Sequence, residues 1–354
     1  MNDQAKALID KLFETGDLSR GEFTALIDGR NEESADYLFE KARIRRTENY
    51  GNKVYLRGLI EFTNYCRNNC LYCGIRAGNA KCERYRLTKE EILLCADQGH
   101  ELGFRTFVLQ GGEDPFYTDE KISDIVRALK KNHPDSAVTL SVGERSRETY
   151  QAWFDAGADR YLLRHETADK AHYEKLHPSS MSFENRVRCL YDLKEIGYQT
   201  GAGMMLESPY QTTDNIVTDL KFLKDLKPEM IGIGPFIPHK DTPFAGEKAG
   251  GAELTLFMLG ILRLMFPAAL IPATTALGTV DGTGREKGIN AGANVVMPNL
   301  SPVNVREKYL LYDGKICTGD EAAACIKCMQ LRISKVGCEA VISRGDAKGF
   351  EKRT

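Results

Sequence analysis

This chain lacks a long apolar run, a surplus of one charge and a glycine-rich dinucleotide fingerprint, and each absence removes a class of function. Lysine and arginine number 48 against 50 aspartates and glutamates, a formal net charge of −2. So balanced a chain gives neither nucleic acid nor an anionic membrane an electrostatic reason to bind, and neither is expected as a partner. The longest apolar stretch, Phe257 to Ala273, is interrupted by Arg263, Pro267 and Pro272. It reads as a buried helix running into a strand, not as a membrane span. The start, MNDQAKALIDKLF, has no basic region followed by an apolar one, so no signal peptide is expected and a cytoplasmic location is. Short-period repeats and low-complexity segments are also missing. No G-x-G-x-x-G follows the first expected strand, which argues against an open doubly wound nucleotide-binding sheet.

Cysteine is what the chain has in quantity. Ten cysteines without an export signal point to a reducing compartment and to metal ligation rather than disulfides. Three of them, Cys66, Cys70 and Cys73, stand in the spacing C-x3-C-x2-C within EFTNYCRNNCLYCG. The preceding run, Val54 to Phe62, mixes β-branched and aromatic residues and reads as a strand, so the cysteines occupy the loop past its C-terminal end. Thiolates are the usual ligands of iron–sulfur clusters, most often four per cluster. Three local ones would leave one iron of a four-iron cube open to a small molecule. The rival is a zinc site, which wants four nitrogen or sulfur ligands; Cys82 is the nearest further cysteine.

From about Lys53 the pattern alternates strand and helix eight times. The expected strands are 54–62, 106–110, 137–142, 160–164, 199–204, 230–234, 270–273 and 294–297. Helices are expected over 88–102, 119–130, 146–156, 183–196, 213–225, 254–266 and 285–291, with Thr88 and Glu91 forming a capping box. Eight such units predict an α/β fold, a complete (β/α)8 barrel of the TIM type. Residues 1–52 read as an N-terminal helical extension, in which Ser19 and Glu22 form another capping box and Arg43, Arg45 and Arg46 a solvated basic face. The barrel is expected over 53–300, and a C-terminal segment over 301–354 closes it, its polar end SRGDAKGFEKRT frayed.

In a barrel, reactive groups belong at the C-terminal ends of the strands. The second strand ends in Gln110-Gly111-Gly112-Glu113, where two glycines let a ligand approach the backbone; an ordinary turn is the alternative. The fourth ends in Arg164-His165-Glu166. Arg164 and Glu166 can pair with each other, or grip a zwitterion or a ribose diol. Arg186, in the helix that follows, is a further candidate clamp for a carboxylate. Thr274 and Thr275 end the seventh strand and serve either as polar anchors or as a helix cap. His165 is as well read as a structural histidine, and His172, His177 and His239 take no role. In the tail, Cys317, Cys325 and Cys328 are spaced C-x7-C-x2-C; an auxiliary iron–sulfur cluster, zinc or free thiols would all fit. Cys82, Cys95, Cys189 and Cys338 match no motif and are expected as core or surface thiols.

The cysteine spacing and the Gly-Gly-Glu turn resemble radical S-adenosylmethionine (SAM) enzymes, in which SAM chelates the open iron of a [4Fe-4S] cluster and is cleaved to methionine and a 5′-deoxyadenosyl radical. Longer runs, IEFTNYCRNNCLYCG, LQGGEDP, RYLLRHETAD, SFENR, GYQTGAGMM, GIGPFIPH, PATTALGT, GANVVMPN and KYLLYDGKIC, resemble the HydE family of [FeFe]-hydrogenase maturases, within the biotin synthase-like branch. The resemblance implies that Cys66, Cys70 and Cys73 hold the cluster, with Tyr72 as the family's aromatic before the third cysteine. It implies that Gln110, Gly111, Gly112, Glu113, Glu166, Arg186, Tyr309 and Leu311 surround SAM, Glu166 on the ribose and Arg186 on the methionine carboxylate. Thr139, Arg164, Thr274, Thr275, Met297 and Tyr312 match positions lining the family's inner cavity. Cys317, Cys325 and Cys328 match an accessory motif for an auxiliary [2Fe-2S] or [4Fe-4S] cluster. The implied substrate is an Fe(CO)2(CN)–cysteine complex made by the maturase HydG and passed towards HydF, with ferredoxin or flavodoxin as electron donor. Glu207 stands in LESPYQ, where the family has a glycine-richer, uncharged stretch, and is given no ligand contact. Biotin synthase, methylornithine synthase and a non-catalytic iron–sulfur scaffold are the alternatives; neither synthase is expected to carry the Cys317–Cys328 motif.

Overall fold

The computed structural model describes residues 3–316 and 326–351. Three helices lead, α1 (Asp3–Thr15), α2 (Arg20–Asp28) and α3 (Glu32–Tyr50). Strand and helix then alternate: β1 (Lys53–Leu56), β2 (Gly58–Thr63), α4 (Lys89–Glu101), β3 (Thr106–Gly111), α5 (Asp119–Asn132), β4 (Ala137–Ser141), α6 (Arg147–Asp155) and β5 (Arg160–Leu162). The second half runs α7 (Lys170–Leu176), α8 (Phe183–Ile196), β6 (Gln199–Ala202), β7 (Met205–Leu206), α9 (Thr213–Leu226), β8 (Met230–Ile231), β9 (Gly234–Pro235), α10 (Ala252–Met265), α11 (Thr275–Val280), α12 (Gly284–Asn290) and β10 (Val295–Val296). Last come α13 (Val303–Arg306), α14 (Ile326–Ser334) and β11 (Glu339–Val341).

The strands close into a (β/α)8 barrel. β2, β3, β4, β5, β6 and β8 form one continuous parallel sheet. The ring is completed by Met230 against Leu270, Pro272 against Val295, β10 against β1, and Leu59 against Asn299, all parallel. The first expected strand is two, because the chain changes partners at Arg57: β1 lies between β10 and β11, whereas β2 pairs with β3. The seventh expected strand shrinks to single bridges at Leu270 and Pro272, since a proline withholds a ladder donor. Both expected capping boxes form, at Ser19 with Glu22 and at Thr88 with Glu91.

α10 is buried on nearly all sides, which is why its sequence shows no polar face. It lies between the barrel and the leading helices; Gly260 passes so close to α3 that a Cβ there would sit 2.8 Å from Leu38 Cγ. Its one basic residue, Arg263, is fully buried and donates to the carbonyls of Phe266, Pro267, Ala269 and Gly292 and to Asn294 Oδ1. It thereby satisfies chain-end acceptors that burial would otherwise orphan. Among the described residues no helix is long and apolar enough to cross a membrane.

Two expectations fail. The basic face of α3 is not solvated at Arg46, which is buried and donates to Ile289 O at the end of α12 and to Cys338 Sγ at 3.2 Å. Helix C-terminal carbonyls attract cations, and α3 supplies one. Nor is the polar end frayed over the described part of residues 343–351. β11 adds to β1, and the following turn crosses the base of the barrel. Arg160, buried within it, donates to Thr106 Oγ1, Arg344 O and Asp346 Oδ1, and Gln199 exchanges hydrogen bonds with Asp346 and Ala347. Two buried arginines, Arg57 and Arg160, draw that turn in by its carbonyls and its carboxylate.

Candidate active site at the C-terminal rim of the barrel

Cys66, Cys70 and Cys73 lie on the 64–86 loop past the end of β2, at the strand C-terminal rim. The loop is stapled from inside by Arg84, which donates to the carbonyls of Asn64, Ile75, Arg76 and Asn79. Arg86 fastens its far end: two hydrogen bonds of 2.7 and 2.9 Å hold Asp114, and the guanidinium lies 3.7 Å from the ring centre of Tyr65. The Gly-Gly-Glu turn meets the loop backbone to backbone. Arg67 N donates to Glu113 O, Arg67 Nε to Glu113 Oε2, and a Cβ on Gly112 would fall 2.2 Å from Tyr65 O. Gly143, at φ +80, leaves the room in which the Glu113 carboxylate accepts from Glu144 N at 2.8 Å.

Burial pushes all three thiols up, Cys70 to about 12, and the neighbouring cysteines add to it at Cys70 and Cys73. A metal must therefore displace protons from these thiols to bind. Among the described residues no three Cys, His, Asp or Glu side chains gather closely enough to hold a single metal ion, the grouping a tetrahedral zinc site needs. Tyr72 is held by its hydroxyl, 3.1 Å from His177 Nε2, while His177 Nδ1 lies 2.9 Å from Tyr173 O. Burial and then Arg186 push His177 down to about 3, so the imidazole is neutral: Nδ1–H donates to the carbonyl and Nε2 accepts from Tyr72.

The charged residues at the rim form a chain. Arg186 pairs with Glu144 at 2.6 Å and donates to Arg164 O at 2.5 Å. Arg164 donates to Met204 O and lies 2.9 Å from Glu166 Oε2. That last approach is an ion pair without hydrogen-bond alignment, for Glu166 Oε2, Arg164 Nε and Thr139 Oγ1 are all buried without a hydrogen-bond partner. Buried polar atoms are nearly always satisfied, so these orphans point at something the protein is built to hold. A carboxylate suits a ribose diol, as SAM offers, and a guanidinium beside it suits an anionic, amino-acid-like group. Thr139 and Met297 also line a small cavity of about 20 Å³ in the barrel, with Arg57 among its walls.

The remaining expected residues divide. Gln110 Nε2 lies 3.5 Å from the hydroxyl of buried Tyr309, and Leu311 O accepts from Gly74 N at 2.8 Å, so the 309–311 segment sits on the cysteine loop, with half-buried Tyr312 next in the chain. Thr274 caps α11 by accepting from Leu277 N, and Thr275 Oγ1 accepts from Arg285. Glu207 binds Gly251 N and braces the turn before α10. Cys317 and Cys325 lie outside the described residues; Cys328 is on α14. Cys95, Cys189 and Cys338 are buried and Cys82 half-buried. Sequence reasoning missed Glu144, Arg84 and helix α7, and gave His177 no role. A seven-residue helix shows too few turns for periodicity; Glu144 and His177 act on residues distant in sequence, and Arg84 on loop carbonyls that no local pattern marks.

Residues 60–228 match the radical SAM superfamily. The chain is 52% identical to the [FeFe] hydrogenase maturase subunit HydE of Thermotoga maritima, over 85% of each chain. It is 32% identical to the 3-methylornithine synthase of Methanosarcina acetivorans, over 93% of this chain and 92% of that one. Among solved structures, methylornithine synthase superposes with a TM-score of 0.82 at 29% identity, over 94% of this chain and 97% of the other. With three cysteines on one rim loop, an unsatisfied buried carboxylate and guanidinium beside it, and 52% identity to a hydrogenase maturase over 300 aligned residues, the chain belongs to the HydE family of radical SAM maturases, enzymes of a [4Fe-4S] cluster and SAM.

Proposed function

We propose that this enzyme acts in assembly of the [FeFe]-hydrogenase diiron subcluster, on an Fe(CO)2(CN)–cysteine type substrate supplied by HydG, with its product passed to HydF. The observation that carries the reading is the pair of unsatisfied buried atoms on Arg164 and Glu166, whose carboxylate lies near enough to Cys70 and Cys73 to bear on their thiols. Cys66, Cys70 and Cys73 hold the cluster, and when bound, cluster and SAM supply a 5′-deoxyadenosyl radical through one electron from a ferredoxin or flavodoxin. Tyr72, Gln110, Gly111, Gly112, Glu113, Tyr309 and Leu311 wall the SAM site. Glu166 accepts from the ribose hydroxyls, and Arg186, held in place by Glu144, orients the methionine carboxylate. Arg164, charged at any working pH, makes the inner chamber attractive to an anionic, amino-acid-like substrate. Thr139, Thr274, Thr275, Met297 and Tyr312 complete that chamber. Its task is containment: a primary carbon radical reacts with nearly anything, so the barrel excludes water and keeps the cysteine sulfur of the substrate within reach. Cys317, Cys325 and Cys328 bind an auxiliary iron–sulfur cluster.

Protein reconstituted anaerobically and given SAM and dithionite releases 5′-deoxyadenosine, and Arg186→Ala weakens SAM binding without lowering iron content. A maturation mixture lacking this protein yields inactive hydrogenase. Turnover of lysine in place of the organometallic complex would instead identify a methylornithine synthase, and an intact cluster without SAM cleavage a scaffold.

A further inference from the structure

Between the residue next to Glu166 and helix α9 lies a pair that none of the proposed chemistry uses. His165 and Asp219 are both fully excluded from solvent, with His165 Nε2 3.3 Å from Asp219 Oδ1. Phe222 covers the imidazole edge-on, the ring centres 4.9 Å apart. His165 Nδ1 accepts from Gly203 N at 3.2 Å, so the imidazole proton sits on Nε2, close to the carboxylate but not aligned to donate to it. Asp219 Oδ1 accepts from Ala168 N, while Asp219 Oδ2 has no hydrogen-bond partner. Burial raises this carboxyl above its ordinary range. As a source of stability the arrangement is poor: a buried carboxyl with an unsatisfied oxygen costs more than an apolar side chain of the same volume.

What the pair grips is the main chain on both sides of Glu166. That residue is at φ +65, a left-handed conformation that costs a residue with a side chain about 1–2 kcal/mol. Glu166 N donates to Gly203 O at 3.0 Å, and Met205 N to Glu166 O at 3.0 Å. Gly203 thus binds the turn by its carbonyl and the imidazole by its N–H, and it has no freedom to shift: a Cβ there would lie 1.8 Å from Gly232 O. Asp219 fixes the other end at Ala168. Released from either grip, the turn would relax out of the left-handed region and carry the Glu166 carboxylate with it.

We propose that His165 and Asp219 are positioning residues that hold Glu166 in its left-handed turn so that its carboxylate meets the ribose of SAM. This rests on reading Glu166 as the ribose ligand. The test measures equilibrium binding of 5′-deoxyadenosine and, separately, of methionine to the anaerobically reconstituted full chain. His165→Ala is expected to weaken 5′-deoxyadenosine about tenfold, the worth of one well-placed hydrogen bond, and to leave methionine binding and iron content unchanged. His165→Asn, which keeps an acceptor near the Nδ1 position for Gly203 N, recovers most of the loss, and so does isosteric Asp219→Asn relative to Asp219→Ala. Equal weakening of both ligands, or of neither, in His165→Ala and His165→Asn overturns the inference. Glu166→Gln separates the two layers: if it leaves 5′-deoxyadenosine binding intact, the ribose reading itself is wrong; if it weakens binding while the His165 variants do not, only the positioning role falls.

Discussion

Glu61 and Lys315 stand 2.6 Å apart, 254 residues distant in sequence and both nearly buried. Glu61 lies in β2, just before the cysteine loop; Asn299 Nδ2 donates to its other oxygen at 2.9 Å. Lys315 also donates to Tyr309 O at 2.8 Å. The pair therefore ties the root of the cysteine loop to the segment that covers it. Lys315→Met leaves a buried carboxylate without its cation and is expected to cost roughly 3–5 kcal/mol in chemical denaturation. The double variant Glu61→Gln, Lys315→Met recovers most of that, because no charge is then stranded. A double variant no more stable than the single one would contradict this.

Gly112→Ala tests the contact between the Gly-Gly-Glu turn and the cysteine loop. The added methyl would meet Tyr65 O at 2.2 Å and Cys66 Cβ at 2.7 Å, and a backbone oxygen cannot rotate away as a side chain does. Overpacking of this kind costs about 1–3 kcal/mol. The damage falls at Cys66, so iron per protein after reconstitution is expected to drop more than secondary structure. Gly246→Ala is the control, since nothing lies within 4 Å of its added carbon. Equal iron content in the two variants would refute the contact's role.

The parts of this architecture that are written locally could be read from the chain. Ser19 with Glu22 and Thr88 with Glu91 mark helix starts because a cap is a contact three residues long. Cys66, Cys70, Cys73 and Gly112 declare a loop and a close approach by residue type alone. What stayed hidden depends on distant partners. Glu144 becomes visible only as the neighbour of Arg186, 42 residues away. Arg46 looked like surface charge, and Arg84 drew no notice, because local sequence does not show which carbonyls will be left without partners. The tail was expected to fray on its polarity, yet Arg57 and Arg160 inside the barrel give its carbonyls and Asp346 a place to bind.

That plug yields a prediction of its own. Arg160 is fully buried and Asp346 is the carboxylate bonded to it, at 2.7 Å; Arg160 in turn holds the Asp346 carboxyl far below the usual range, against the pull of burial. Asp346→Ala strands the arginine and is expected to cost about 2–3 kcal/mol, less than for a fully buried partner because Asp346 is a third exposed. Arg160→Met in the same chain restores most of it. Because the folded-state pKa is lowered, the pair's contribution is present above the ordinary carboxylate range and fades in acid; urea denaturation at pH 7 and at pH 3 should show a smaller penalty for Asp346→Ala at the lower pH.

His177 gives a second acid signature, of different origin. Its folded form stays neutral down to about pH 3, because burial and then the Arg186 charge disfavour the imidazolium. An unfolded histidine takes up its proton near pH 6.5. Between those values the unfolded chain binds a proton that the folded chain refuses, so this site's stability is complete above about pH 6.5 and is lost as pH falls, by up to about 1.4 kcal/mol per pH unit. His177→Gln removes the titrating group while its amide oxygen can still accept from the Tyr72 hydroxyl, which the native Nε2 meets at 3.1 Å. Its stability measured from pH 7 to pH 4 is therefore expected to decline less steeply than that of the parent, by about one proton's worth of slope. Parallel curves would mean that His177 is protonated in the folded protein, and the Tyr72 hydroxyl would then have lost its acceptor.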